Sequence, residues 1–342
     1  MTEFSICASD GMIKLFTDLC SVKGTHLTIA IISHKLYIAA VSPEFFKILN
    51  MNTTINTDDL AVRIQKSMIK PLLSDECILS FSIGANICIR RYIADTLMST
   101  VTVPLEYDFN SKLIEDVVAS GMEHTDLYDI GSIIRLRPVL GYSDMGIQCH
   151  NDLAYTRGPS FIVYCKMKSK CDFLMTTSNI SELIKFIRAY GDVQIYECGT
   201  NVIFQKGASY FGCRQPVSFV DTEYSSFAEL TPICETTADL VELHRILRAF
   251  TVPKGQEANC AFNLEKGMAS INLGDFYHFG IAIKNTGGIS EKFSVPVDVL
   301  KKLFSNIYID YGKVAVKLYE SLVVFEFGDI QLLISRSDIW DD

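Results

Sequence analysis

The hydrophobic pattern is easiest to follow at the C-terminal end of the chain. Lys292 to Val297 alternates as a strand does. Asp298 is then a suitable N-cap for a helix in which Val299, Leu300, Leu303, Phe304 and Ile307 fall on one face. Gly312 breaks the pattern. Three strand-like runs follow, Lys313 to Tyr319, Leu322 to Phe327 and Ile330 to Ser335, with turn residues at Glu320–Ser321 and Gly328–Asp329. The predicted order is strand, helix, three strands.

The same order occurs upstream. Asp172 to Thr176 predicts a strand, and Ser178 to Tyr190 predicts a helix burying Ile180, Leu183, Ile184 and Ile187, with Asn179 and Glu182 spaced as a capping box. After Gly191 come Asp192 to Cys198, Asn201 to Gln205 and Ser209 to Gln215, separated by Cys198-Gly199-Thr200 and Lys206-Gly207. Four more helix signals begin near Asp10, Lys66, Asn110 and Thr237. The six starts recur at about 58 residues, so six copies of one unit account for the whole chain of 342. The third copy is interrupted by Gly131, Pro138, Gly141 and Gly146, which predicts a long irregular loop there. A single unit is too small to cover both its helix and its sheet. Units taken in pairs give three domains of about 115 residues, at 1–106, 107–222 and 223–342. The expected class is α+β, each domain a pair of βαβββ units.

Three tandem domains of this kind resemble the bacterial beta-type DNA polymerase sliding clamp. The stretch from Ile180 to Pro216 is similar to the end of that family's middle domain: a helix (Ser181-Glu-Leu-Ile-Lys-Phe-Ile-Arg-Ala-Tyr), a Gly191-Asp-Val strand entry, and a last strand ending in Arg214. Phe293 to Ser335 is similar to the family's closing half-domain. The first 170 residues match in pattern alone, and the short chain fits a divergent, phage-encoded member. The resemblance implies a head-to-tail dimeric ring with helices lining the hole and sheets outside. It implies a processivity factor for DNA replication that encircles duplex DNA without reading its sequence and tethers a DNA polymerase. A separate ATP-driven loader would open the ring, and the chain would carry no cofactor and no chemistry of its own.

Charge complicates this. A net charge of −9 argues against a DNA binder unless positive charge is local. The polar faces of the predicted helices do carry bases: Lys14, Lys23, Lys66, Lys70, Lys112, Lys185, Arg188, Arg245, Arg248, Lys301 and Lys302. They are the candidate DNA-facing residues, contacting phosphates and indifferent to base sequence. Asp18, Glu115, Asp116, Glu182 and Glu242 share those helices, and the Asn110 helix is net acidic. The acidic excess would then sit on the outer sheets and repel DNA from the wrong surface.

The resemblance also places a partner-peptide pocket between the middle and last domains. By position it points to Leu153, Tyr155, Pro216, Val217, Leu332 and Ile334. The tail adds Ile339 and Trp340, the single tryptophan. The chain's ending, Ser337-Asp-Ile-Trp-Asp-Asp, departs from the family's.

The remaining chemistry is sparse. The chain contains no P-loop, no Gly-x-Gly-x-x-Gly, no His-Glu-x-x-His, no Gly-x-Ser-x-Gly and no Cys-x-x-Cys. Cys149-His150 with Cys165 and Cys171 has no common zinc spacing. The 11 cysteines, an odd number sitting mostly in strand-like runs, read as buried free thiols. Mean hydropathy is +0.22, yet apolar runs such as Leu27 to Ile32 have strand length, and the N-terminus lacks a signal-peptide pattern. The expected location is therefore cytoplasmic, the host cytoplasm for a phage protein. Two readings compete with the clamp: a clamp-fold transcription coactivator or non-encircling processivity subunit, and an enzyme whose site is assembled only by tertiary contacts.

Overall fold

The computed structural model describes residues 2–8, 10–24, 26–73, 77–108, 110–122, 127–128, 130–143, 146–168, 170–190, 193–215, 230–252, 258–273, 277–283, 287–304 and 313–336. Strands and helices follow one order six times. The first repeat is β1 (Thr2–Ala8), α1 (Asp10–Ser21), β2 (His26–Ile32), β3 (Lys35–Val41) and β4 (Phe45–Thr54); the second is β5 (Leu60–Gln65), α2 (Lys66–Ile69), β6 (Cys77–Ile83), β7 (Asn86–Ile93) and β8 (Thr96–Pro104). Between the second and third repeats lies α3 (Ser111–Met122). The third repeat is β9 (Leu127–Tyr128), α4 (Gly131–Leu136), β10 (Ile147–His150), β11 (Leu153–Gly158) and β12 (Phe161–Lys166). The fourth is β13 (Phe173–Met175), α5 (Thr177–Tyr190), β14 (Val193–Cys198), β15 (Asn201–Lys206) and β16 (Ser209–Arg214). The fifth is β17 (Cys234–Ala238), α6 (Val241–Ala249), β18 (Ala258–Asn263), β19 (Met268–Leu273) and β20 (Tyr277–Ala282), and the sixth is β21 (Lys292–Pro296), α7 (Val297–Phe304), β22 (Val314–Leu318), β23 (Leu322–Phe327) and β24 (Ile330–Ser335).

The predicted βαβββ unit is therefore present six times, with one correction. The helix signal at Asn110 is a real helix, α3, but it stands outside the repeat. The third repeat's own helix is α4, continued by a 3-10 turn over Arg137–Tyr142 with Pro138 in its first turn. Pro138 lacks an N–H and is tolerated there because the first N–H groups of a helical turn have no partner within it. Two predicted caps also move. Thr176, not Asn179, caps α5, its Oγ1 accepting the Asn179 N–H at 3.4 Å. Asp298 lies in the first turn of α7, not ahead of it. Ile307, Gly191 and Gly312 lie outside the described residues.

Consecutive repeats exchange their first strands. β1 joins β6-β7-β8 and β5 joins β2-β3-β4; β9 joins β14-β15-β16 and β13 joins β10-β11-β12; β17 joins β22-β23-β24 and β21 joins β18-β19-β20. All pairings are antiparallel, and hairpins link the last three strands of each repeat. The reason is elementary: the helix after each first strand separates that strand from its own hairpins, so its backbone groups find partners in the neighbouring repeat. Four of these sheets then merge through last strands, β4 with β16 and β12 with β24, giving two eight-stranded sheets; two four-stranded sheets remain.

The chain divides into two compact bodies, residues 1–128 with 185–215, and residues 129–184 with 216–342. In the first body the eight-stranded sheet is covered on both faces. On one face the ammonium of Lys47 donates to both carboxylate oxygens of Asp18 on α1 at 2.7 and 2.8 Å, and Phe186 of α5 meets Phe211 at 6.0 Å. Lys47 and Phe211 are direct partners across the β4–β16 seam. The next residues along each strand, Phe46 and Gly212, point the other way. There Phe46, Tyr37, Ile203, Tyr196 and Tyr210 bury with Leu113, Ile114, Val117 and Val118 of α3. The Tyr196 hydroxyl donates to the Val117 carbonyl at 3.0 Å. The segment leading into α3 is fixed too: Arg63 N–H donates to Glu106 O and Asp108 N–H to Ala61 O, while the Asp108 carboxylate accepts from the Thr28 hydroxyl and the Asn110 N–H.

In the second body α7 covers one face of its eight-stranded sheet. Phe304 meets Phe325 and Phe327 edge-on at 5.4 and 5.3 Å. Phe325 pairs with Leu332 across β23–β24, so Leu332 points toward α7 as well.

Candidate functional site: exposed helix bases, free sheet edges and an aromatic cluster

The predicted bases divide into distinct groups. Lys14, Lys23, Lys70, Lys185, Arg245 and Arg248 are exposed, on or beside α1, α5, α6 and the turn after α2. Arg245 pairs with Glu242 one turn earlier. Lys301 and Lys302 are half-buried, and the Lys301 ammonium donates to the Phe250 carbonyl. Lys66 departs from the expectation: it is buried, and its ammonium donates to the Val22 carbonyl. Burial holds its pKa below the ordinary lysine value. Lys112 is exposed but belongs to α3, on the sheet face opposite α1 and α5. The Arg188 side chain lies outside the described residues. His244, next to Arg245 and one turn before Arg248 on α6, is held below its ordinary pKa by burial and by the Arg248 charge, so it adds no charge near neutral pH.

The free edges follow from the strand order. Of the six last strands, four pair with each other, and among the described residues β8 and β20 have no such neighbour. Both edges carry unusual apolar exposure. Leu97 and Met98 on β8 are 52% and 54% exposed; Phe279 on β20 is 47% exposed and Met268 on adjacent β19 is 43%. An unpaired edge with exposed large side chains is a template for strand addition.

The predicted peptide pocket is reorganised by strand parity. Tyr155 opposes Tyr164, with rings 5.6 Å apart, and both bury with Leu322, Val324 and Leu333, flanked by Ile162 and Tyr319. Leu153 is half-buried on the same face, two residues before Tyr155. Leu332 and Ile334 are not with them. They occupy the alternate positions of β24, fully buried on the side of α7. Leu333, between them on β24, is the residue that joins Tyr155. Pro216, Val217, Ile339 and Trp340 lie outside the described residues.

Among the described residues no group of three or more His, Cys, Asp or Glu side chains could hold a metal ion. All cysteines are free thiols, and burial pushes Cys213 up to about 12. Among the described residues no helix is long and apolar enough to cross a membrane.

No family model matches the chain, and no curated protein matches it. Solved structures do. The DNA polymerase sliding clamp of Caulobacter crescentus superposes with a TM-score of 0.74 at 10% identity, over 99% of this chain and all of that one. This chain has the sliding-clamp fold. The clamp fold is matched equally by DNA polymerase III subunit beta from Pseudomonas aeruginosa (TM-score 0.71, 10% identity, 98% and 100% covered) and by the subunit beta sliding clamp of Bartonella birtlesii (0.69, 10%, 99% and 100%). At such identity the likeness resides in the order and pairing of elements, which the six strand-exchanged repeats reproduce.

Proposed function

We propose that this chain is a DNA sliding clamp: a processivity factor that encircles duplex DNA and tethers a polymerase, without catalysing a reaction. The observation that carries the reading is the pair of free last strands. Last strand pairs with last strand twice within the chain, and among the described residues β8 and β20 are the last strands that remain. Two chains arranged head to tail would pair β8 of each with β20 of the other, so that every last strand has a last-strand partner. A ring of twelve repeats results, and the strand exchange supports its division into three domains per chain, 1–106, 107–222 and 223–342.

In this reading Lys14, Lys23, Lys70, Lys185, Arg245 and Arg248 face the duplex, touching phosphates weakly and without base readout. The acidic balance of the chain is compatible with this because retention is topological. The Tyr155–Tyr164–Leu333 cluster is the seat for apolar anchors of partner peptides, those of a polymerase and of a clamp loader. The protein works with DNA in the cytoplasm, the host's if it is phage-encoded. A coactivator or non-encircling subunit would need no matched free edges, so the paired edges favour the ring.

The test is retention on nicked circular DNA after loading, followed by linearisation. A clamp stays on the circle and runs off the linear ends. Equal retention on both forms refutes encirclement, and a monomer by light scattering at micromolar concentration refutes the ring.

A further inference from the structure

Cys149 and Cys171 lie close together at the end of the second body's eight-stranded sheet. β10 and β13 are antiparallel with Cys149 opposite Phe173. Cys171 lies two residues before Phe173, so it shares the face of Cys149 on the diagonal, where side chains of neighbouring strands reach each other. Its backbone is fixed by an N–H donated to the Asn151 carbonyl at 2.9 Å. The two thiols are in hydrogen-bond contact, and burial is the main cause that pushes the Cys149 thiol well up. Cys149 is wholly buried, whereas Cys171 is half-exposed and open to water-borne reagents. A third thiol, Cys165, is also buried, on the same face through Ala154, and its sulfur contacts the Lys166 carbonyl and the Asp329 carboxylate.

We propose that Cys149 and Cys171 form an oxidative modification site, closed to a disulfide by hydrogen peroxide. The exposed Cys171 sulfur attacks the peroxide oxygen, the O–O bond breaks, and sulfenic acid and water form. The Cys149 sulfur then displaces the sulfenic hydroxyl as a second water, its own proton leaving with that oxygen. Two thiols lose two electrons and one peroxide gains them. A protonated partner thiol makes the second step the slow one, because the thiolate is the better nucleophile. Diagonal neighbours on adjacent strands stand at the upper edge of the usual disulfide span, so closure draws the segment before β13 toward the end of β10. The bond would fasten the segment before β13 to the end of β10, beside the hairpin that carries Tyr155 and Tyr164. The site is independent of the clamp reading, since its chemistry needs neither DNA nor a second chain.

The experiment uses the full chain, treated with hydrogen peroxide, alkylated after denaturation, digested and mapped by tandem mass spectrometry. A linked peptide joining Cys149 to Cys171, two hydrogens lighter than its parts, is expected. It disappears in Cys171→Ser and Cys149→Ser and persists in Cys165→Ser. A link from Cys149 to Cys165 overturns the assignment, as does Cys171 passing to sulfinic acid while Cys149 stays as alkylatable as in untreated protein. Because Cys149 is a core residue, the half-exposed Cys171→Ser variant, checked for a native melting profile, is the decisive control.

Discussion

Gly212 faces Phe46 directly across the β4–β16 seam, and the ring lies over it. A Cβ added at Gly212 would stand 2.1 Å from Phe46 Cζ and within 2.6 Å of two further ring atoms. Ordinary contact begins about 1.3 Å farther out, so the ring must move, and Phe46 is 4% exposed inside a cluster that includes Val117 and Val118 of α3. Gly212→Ala should therefore incur an overpacking cost of about 1–3 kcal/mol. Removing a strand glycine returns roughly 0.5–1 kcal/mol of chain entropy, leaving a net loss of about 0–2.5 kcal/mol. Phe46→Ala alone opens a cavity and costs about 3–5 kcal/mol. In the double variant the new methyl enters vacated space, so the two losses should fall short of additivity by about 1 kcal/mol or more. Urea unfolding followed by far-UV circular dichroism measures all four corners of the cycle. Additivity within about 0.5 kcal/mol would show that ring and glycine are not in contact.

Further outcomes are expected. Ala94 and Asp95 both have positive φ, 46° and 62°, in the two-residue turn between β7 and β8; Asp95→Gly should stabilise by roughly 0.5–1 kcal/mol, visible as a higher Tm. Asp18→Ala removes the carboxylate from the buried Lys47 ammonium, but Asp18 is 34% exposed, so the loss should be about 2 kcal/mol, below the range for a fully buried pair, and Lys47→Met should recover part of it in the same melt. Cys213 ionises near 12 in the fold against 9.0 ordinarily. Its proton is retained only while folded, so stability is full below pH 9 and falls between 9 and 12 by up to about 1.4 kcal/mol per unit; Cys213→Ala should flatten that slope in pH-dependent denaturation. Leu333→Asp should weaken an apolar partner peptide at least tenfold in fluorescence anisotropy, and Leu332→Val should leave its affinity unchanged.

Much of the fold was legible because helical and strand periods differ sharply where each element has one wet face. The fourth and sixth repeats show this: β22 alternates buried and half-buried positions, and α7 buries Val299, Leu300, Leu303 and Phe304 in a single stripe. The third repeat was misread for a physical reason. α3 has the stronger stripe, Leu113, Ile114, Val117 and Val118, whereas α4 is only six residues long and runs into Pro138. A stripe shows that a helix is amphipathic and says nothing about which face of which sheet receives it. The same limit explains Leu332 and Leu333. Ile330 to Ile334 is apolar at four of five positions, so parity can be assigned only from Phe325 and Phe304 across the ladder. Lys66 failed differently, since a lysine at a helix start is usually wet and nothing local marks the Val22 carbonyl as its acceptor.

The position of α3 bears on how the two sheets would drift over evolutionary time. From Leu27 to Ile32 every residue of β2 is buried, as are Leu36 to Ala40 of β3, whereas β18 alternates throughout. A strand with helices on both sides has no position where a polar side chain reaches water. Random substitution in β2 and β3 should thus be rejected about twice as often per residue as in β18. Divergent relatives that lack α3 would show polar residues at Ala30, Tyr37 and Ala39 before they showed any at Ile29 or Ile38, and a fluorophore or affinity handle is better attached to the sheet of β18–β21 than to the sheet that α3 covers.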